Sequence, residues 1–136
     1  MILYGKPVAL SIEEKIKKDI DVLAQSGVKP FLAVILVGND PASILYTRKK
    51  KEKAQQLGVD YRLYHLPETS SDDNVINLIQ DLNQNKNVHG IIVQLPLPQN
   101  FETKKILSVI QESKDVDGLN GGFVPPTAEA ILDFYF

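Results

Sequence analysis

Cysteine and tryptophan are absent from this chain of 136 residues, and methionine occurs once. Without a thiol there is no disulfide, no thiolate metal site and no cysteine nucleophile. That usage matches a reducing compartment, and a cytoplasmic location is expected. A dominant charge is lacking too: 15 basic and 17 acidic residues leave a formal net charge of −2. Nucleic acid is therefore not an expected partner. No apolar run is long enough to cross a bilayer, and residues 1–10 lack a basic start followed by a long apolar stretch, so neither a membrane nor secretion is expected. Phosphate signatures are missing as well. Gly38 is not followed by Gly-Lys-Ser/Thr, no Gly-x-Gly-x-x-Gly occurs, and Gly118, Gly121 and Gly122 follow no predicted strand. His65 and His89 fall on separate predicted strands without metal-ligand spacing, so no metal site is expected. What remains is a chain with 43% hydrophobic residues, enough for one soluble core, whose expected partner is a small molecule.

The pattern that is present alternates helix and strand. Ser11 and Glu14 have capping-box spacing, Ile12, Ile16 and Ile20 recur every fourth residue, and Gly27 supplies a stop, predicting a first helix. Phe31 to Val37 is an unbroken apolar run between Pro30 and Gly38, which suits a strand covered on both faces. Asp40 suits an N-cap and Pro41 a first helical position, so a second helix should run to about Leu57 and close at Gly58. Tyr61 to Leu66 reads as the second strand. Ser71-Asp72-Asp73 opens a third helix with acidic residues at the positive end of its dipole and Val75, Ile79 and Leu82 inward. Val88 to Leu95 is the third strand, stopped by Pro96 and Pro98. Phe101 to about Glu112 follows as a helix with Ile106, Val109 and Ile110 inward, and Thr127 caps a last one from Ala128 to Phe136. This order predicts an α/β fold, a three-layer open, mainly parallel sheet with helices on both faces, in one domain over residues 1–136. Ligands of such sheets bind beyond the carboxyl ends of the strands, where Gly38 and Gln94 both fall.

Several residues near that edge can carry chemistry. With Tyr46 as origin, Ala42, Lys50, Ala54 and Leu57 share one side of the second helix. Lys49 and Lys53 lie on or near it, so periodicity leaves three candidate inward amines. A run such as Arg48 to Lys53 is ordinarily a solvated face, but an aromatic ring one turn before an amine can face a single ligand with it. Gln94 is the first strong hydrogen-bonding side chain after Ile91-Ile92-Val93, and an amide there presents a donor and an acceptor. Leu95-Pro96-Leu97-Pro98 lacks a backbone donor at each proline and makes a stiff apolar wall. Asp115 and Asp117, if extended, point the same way, and one carboxylate can accept from a ring amidine or amino group; Asp-x-Asp-Gly alone is more often a turn pattern.

Taken in order, Val37-Gly38-Asn39-Asp40-Pro41-Ala42-Ser43, the pair Tyr46 and Lys50, Gln94-Leu95-Pro96-Leu97-Pro98, and Lys114-Asp115-Val116-Asp117-Gly118 resemble the N-terminal, folate-binding domain of the bifunctional methylenetetrahydrofolate dehydrogenase/methenyltetrahydrofolate cyclohydrolase family. The resemblance runs from the opening helix to Leu119 and resumes at Phe123. It implies that Tyr46 stacks on the pterin, Lys50 is central to the cyclohydrolase chemistry, Gln94 is its hydrogen-bonding partner and Asp117 grips the pterin. Ser43 then orients the lysine or caps its helix, and Leu95 and Pro96 complete the substrate site. The resemblance also implies oxidation of methylenetetrahydrofolate to the methenyl cation with NADP, hydrolysis to formyltetrahydrofolate, and a homodimer in the complete enzyme.

Asn120 joins directly to Gly121, where that family carries a further connecting segment, and the family's Pro-Cys/Ala-Thr-Pro element reads Pro125-Pro126-Thr127-Ala128. Residues 131–136 fall where the family enters its NAD(P)-binding Rossmann domain. The resemblance therefore places the NADP-binding domain outside these residues, and dehydrogenase activity is not expected of them alone. Two other classes fit less of the chain: a truncated folate- or partner-binding module without turnover, and a flavodoxin-like phosphate-binding regulatory domain. The latter leaves Tyr46, Gln94 and residues 96–98 without a role.

Overall fold

The computed structural model describes residues 5–120. Three strands, β1 (Phe31–Val37), β2 (Asp60–Leu66) and β3 (Gly90–Val93), form a sheet in the order β2-β1-β3 with both pairings parallel. β1 is thus central, and its alternate side chains enter different layers. Ala33, Ile35 and Val37 meet Val75, Ile79 and Leu82 of α3 (Asp72–Gln84) and Ile106 of α4 (Thr103–Leu107) in the main core. Val34 and Leu36, equally buried, turn to the other face, where α2 (Pro41–Leu57) buries Ser43, Thr47 and Ala54. Helices on both faces of a parallel sheet make the expected three layers. A further helix, α1 (Gly5–Gln25), packs outside α2, with Ile20 against Gly58 and Glu13 Oε1 2.6 Å from Lys53 Nζ.

β1 and α2 begin and end where the sequence pattern puts them, and three other elements depart from it. α1 starts upstream of Ser11, which lies inside the helix and caps nothing. β3 is shorter than residues 88–95. The helix expected over residues 101–112 divides into α4 and a 3₁₀ turn, Glu112–Lys114. Asn83 of α3 explains the division: its Nδ2 donates to the Val109 carbonyl at 2.8 Å and its Oδ1 accepts from the Gln111 N–H at 3.0 Å, diverting both groups from helical partners. The predicted helix over residues 128–136 and its cap Thr127 lie outside the described residues.

Tyr61 of β2 ties α2 to the sheet by donating its hydroxyl to the Thr47 carbonyl at 2.9 Å. Burial pushes this phenol up from 10.0 to about 12. A folded-state value above the unfolded one adds stability that is complete below pH 10 and is lost as pH rises to about 12. Urea unfolding across that window should show the wild type losing more stability than Tyr61→Phe, which itself costs about 1 kcal/mol near neutral pH. Parallel pH profiles for the two proteins would remove Tyr61 as the source.

Candidate active site

The phase of α2 is set at its first turn. Asp40 caps it, with Oδ2 accepting from the Ser43 N–H at 2.7 Å, and Pro41 occupies the first helical position. That N–H, and after it the Ser43 hydroxyl, hold the Asp40 carboxyl below its ordinary value. The hydroxyl is buried and near the carboxylate but forms no hydrogen bond of acceptable geometry among the described residues, so the cap is the N–H bond alone.

From this start the helical repeat delivers Lys50 to the sheet side. Its Nζ donates to Gln94 Oε1 at 2.7 Å. Gln94 extends the line of β3: its N–H bonds the Ile35 carbonyl at 2.8 Å, and by alternation its side chain shares the α2 face with Ile92. Its Nε2 donates to the Leu95 carbonyl at 2.8 Å, so the amide is held at both ends with its oxygen toward the amine. The other cations of the run point elsewhere. Lys49 and Lys51 are exposed, Arg48 pairs with Glu52 at 4.0 Å, and Lys53 is taken by Glu13. Of the three amines that periodicity leaves open, Lys50 alone makes this contact.

Asp115 and Asp117 do not lie in an extended segment. The Gly118 N–H bonds the Asp115 carbonyl at 3.1 Å and Gly118 has φ 66°, which closes a turn and splits the two carboxylates. Asp115 goes inward, 1% exposed, where Oδ2 accepts from the Asn120 N–H at 2.6 Å and its backbone bridges in parallel to Ile91. Asp117 is half-buried and within electrostatic reach of Lys50. Burial raises its carboxyl above the ordinary value, the Lys50 ammonium draws it back, and Asp115 adds a smaller upward push.

Tyr46, 57% exposed, stands one turn before Lys50. Leu95 is half-buried and Pro96 exposed, joined by a cis peptide. Pro96 and Pro98 face Gly38, Asp40 and Glu68 across a cavity of about 350 Å³ at the carboxyl edge. A larger apolar cleft of about 540 Å³ takes the stem of Lys50, together with Ile16, Leu32, Ala54 and Val116. That cleft opens toward the start of β1 and β3, and neither Tyr46, Gln94 nor Asp117 lines it; the polar cluster, not the cleft, is the candidate place for chemistry. Lys50, Gln94 and Asp117 come together, Tyr46 and Pro96 flank them, and Ser43 sits in the interior without a bond to Lys50. Both histidines serve the backbone: His65 Nε2 lies 2.7 Å from the Gly38 carbonyl oxygen, and His89 Nδ1 accepts from the Phe31 N–H at 3.1 Å. Among the described residues no cluster of three His, Cys, Asp or Glu is placed to hold a metal, and no helix is long and apolar enough to cross a membrane.

Residues 3–117 match the family model described as tetrahydrofolate dehydrogenase/cyclohydrolase, catalytic domain. The chain belongs to that family. Within it, the chain is 41% identical over 135 residues to bifunctional protein FolD of Pelotomaculum thermopropionicum, an alignment covering 97% of this chain and 48% of that protein. The crystal structure of the FolD dehydrogenase/cyclohydrolase of Campylobacter jejuni superposes with a TM-score of 0.92 at 37% identity, covering 96% of this chain and 50% of the other. The Trypanosoma brucei FolD, solved with NADP cofactor and inhibitor, superposes with a TM-score of 0.89 at 28% identity, over 98% of this chain and 50% of that one. The chain spans about half the length of these relatives.

One support of the candidate site escaped the sequence reading, because no periodicity signals it. Gly90 opens β3 directly under Val116; a Cβ on it would stand 2.9 Å from Val116 Cγ1 and 3.2 Å from Leu32 Cδ1. Gly90→Ala should cost roughly 1 to 3 kcal/mol through overpacking and push the Asp115–Gly118 turn off the sheet. Adding Val116→Ala should return part of that loss in urea unfolding. No loss in the single variant would show that the turn yields without resistance.

Proposed function

We propose that this domain binds a reduced folate carrying a bridging one-carbon unit and hydrolyses the methenyl cation to formyltetrahydrofolate. The protein to which it belongs would also oxidise methylenetetrahydrofolate with NADP. Family membership supports the reading, and one observation carries it: the Lys50 amine is fixed 2.7 Å from the Gln94 amide oxygen, with the Asp117 carboxylate in electrostatic reach.

The chemistry follows from the groups. The exposed Tyr46 ring is a platform for the flat pterin, and Asp117 accepts from the ring's amino and N–H donors by charge-assisted bonds. The methenyl carbon lies between two nitrogens and carries positive charge, so an amine beside it acts as a base when neutral. Gln94 Oε1 accepts one N–H of Lys50 and leaves its lone pair for water. Water adds to the carbon as its proton passes to Lys50. The hydroxyl then loses its proton as the carbon becomes a carbonyl and the bond to one bridging nitrogen breaks, and Lys50 returns a proton to that nitrogen. One water enters and one proton is released. The sequence has no Gly-x-Gly-x-x-Gly fingerprint with which to hold NADP.

A homodimer of the complete protein, a cytoplasmic location and a place in purine biosynthesis accompany this reading on the strength of the resemblance. The second reading, a folate-binding module without turnover, draws on the half-length match to the relatives. Methenyl hydrolysis by the chain as it stands separates the two.

In the active protein, Lys50→Met should lower methenyl hydrolysis by about 10²-fold or more while changing folate affinity little, and Lys53→Met should do neither. If Lys53→Met abolishes turnover and Lys50→Met does not, the assignment fails. Asp117→Ala should weaken tetrahydrofolate binding by roughly 10- to 100-fold, as expected for a charge-assisted bond of about 1.5 to 3 kcal/mol. Because burial raises the Asp117 carboxyl, it loses its charge at a higher pH than an ordinary aspartate on acidification. Calorimetry should find wild-type affinity falling before the usual carboxylate range is reached, with a flatter profile for Asp117→Ala; identical profiles would leave Asp117 as a turn residue only.

A further inference from the structure

Lys114 lies outside the cluster just described, yet its ammonium is fully engaged. It ends the 3₁₀ turn, and Nζ donates to the carbonyls of Leu82 at 2.9 Å, Asn83 at 2.7 Å and Asn85 at 2.8 Å. The Leu82 and Asn83 oxygens are end-of-helix acceptors at the C-terminus of α3, and the oxygen of its C-cap Asn85 also accepts from the Val88 N–H at 3.0 Å; the helix dipole there favours a cation. Three donors on three acceptors leave no lone valence on the ammonium. Burial lowers the Lys114 amine from its ordinary value, and the surrounding carbonyls are what make the charge tolerable there. The grip is reciprocal, since Asn83 of the same helix end holds Val109 and Gln111 just ahead of the 3₁₀ turn.

Lys114 is followed at once by the turn that bears Asp117. On its far side that turn is closed by Asn120 on Asp115 and pressed on Gly90 through Val116. On its near side Lys114 is the side-chain anchor next to the turn, with Asn83 on Gln111 further back along the chain. Asp117 is within electrostatic reach of Lys50 of α2 and, more weakly, of Asp115 in its own turn, so where the turn sits decides the balance of charge it feels.

We infer that Lys114 is a positioning residue: by clamping the 3₁₀ turn to the end of α3, it sets the turn from Asp115 to Gly118 so that Asp117 stays half-buried beside Lys50. This deepens the proposed folate reading and rests on it for the ligand alone. A methionine at this position keeps the apolar stem and loses all three bonds; an arginine keeps charge and donors.

Two readouts test the inference. The first is the titration of the Asp117 carboxyl by carbon-13 NMR, which needs no ligand. It should move back toward the ordinary aspartate value in Lys114→Met and stay raised in Lys114→Arg. The second is calorimetry with tetrahydrofolate. Lys114→Met should weaken binding by roughly tenfold in the wild type and hardly at all in an Asp117→Asn background, because both changes remove the same contact. If folded Lys114→Met leaves the Asp117 titration unchanged, or weakens binding equally in both backgrounds, Lys114 is structural only. A shifted titration with no tetrahydrofolate binding by any variant would uphold the positioning role and sink the folate reading. Should Lys114→Met fail to fold, Lys114→Gln, with an amide in place of the ammonium, answers the same question.

Discussion

Phe31 to Val37 carries apolar side chains on both faces of the sheet, so each face needs a helical layer before the strand can leave water. Parallel neighbours follow from that need, because a crossover helix returns the chain in the same direction and supplies the missing cover. One face is closed by α3 and α4, the other by α2. With both faces of β1 committed, a polar opening is left at the strand ends. Gln94 is placed there by alternation, and Lys50 by the phase of α2. Their meeting is a consequence of the same burial that builds the core.

Where one short-range rule governs an element, the sequence shows it. Asp40, Pro41 and Gly58 define both ends of α2 through a side-chain cap, a fixed φ and a left-handed glycine, with nothing required from distant residues. Val75, Ile79 and Leu82 mark the buried stripe of α3 in the same way. The reading failed where a distant group competes with a local one. Asn83 takes two backbone groups from the predicted fourth helix, and no pattern within residues 101–112 reveals that. Ser11 failed for the opposite reason: its capping signal is real chemistry, but the helix propagates through it, and a Ser inside a helix then has no orphan N–H to satisfy.

The candidate site divides along the same line. Tyr46 and Lys50 belong to one helix, so their relation follows from its repeat. Lys50 against Lys53 is a different matter, because the decision rests on Glu13 of another helix drawing Lys53 away, a pairing 40 residues apart in the chain. The two carboxylates also required the structure. Sequence alternation put them on one side, whereas the turn at Gly118 buries Asp115 and leaves Asp117 toward the amine.

The site is thereby held by two supports of different kind. α2 brings the amine, and its position depends on a cap and on Tyr61, both of which act through backbone groups of the helix itself. The carboxylate comes from a turn with almost no regular structure, and it depends on Lys114 and Asn83, which tie its approach to the end of α3, and on the seating of Val116 over Gly90 of β3. A helix resists displacement along its whole length, but a turn does so only where it is pinned. Asp117 is also the more sensitive partner, since burial already works against its charge and only Lys50 favours it. Any slackness in the turn therefore acts on position and on charge at once, which makes the segment around Asp117, rather than α2, the part of the candidate site on which the proposed recognition would be most finely set.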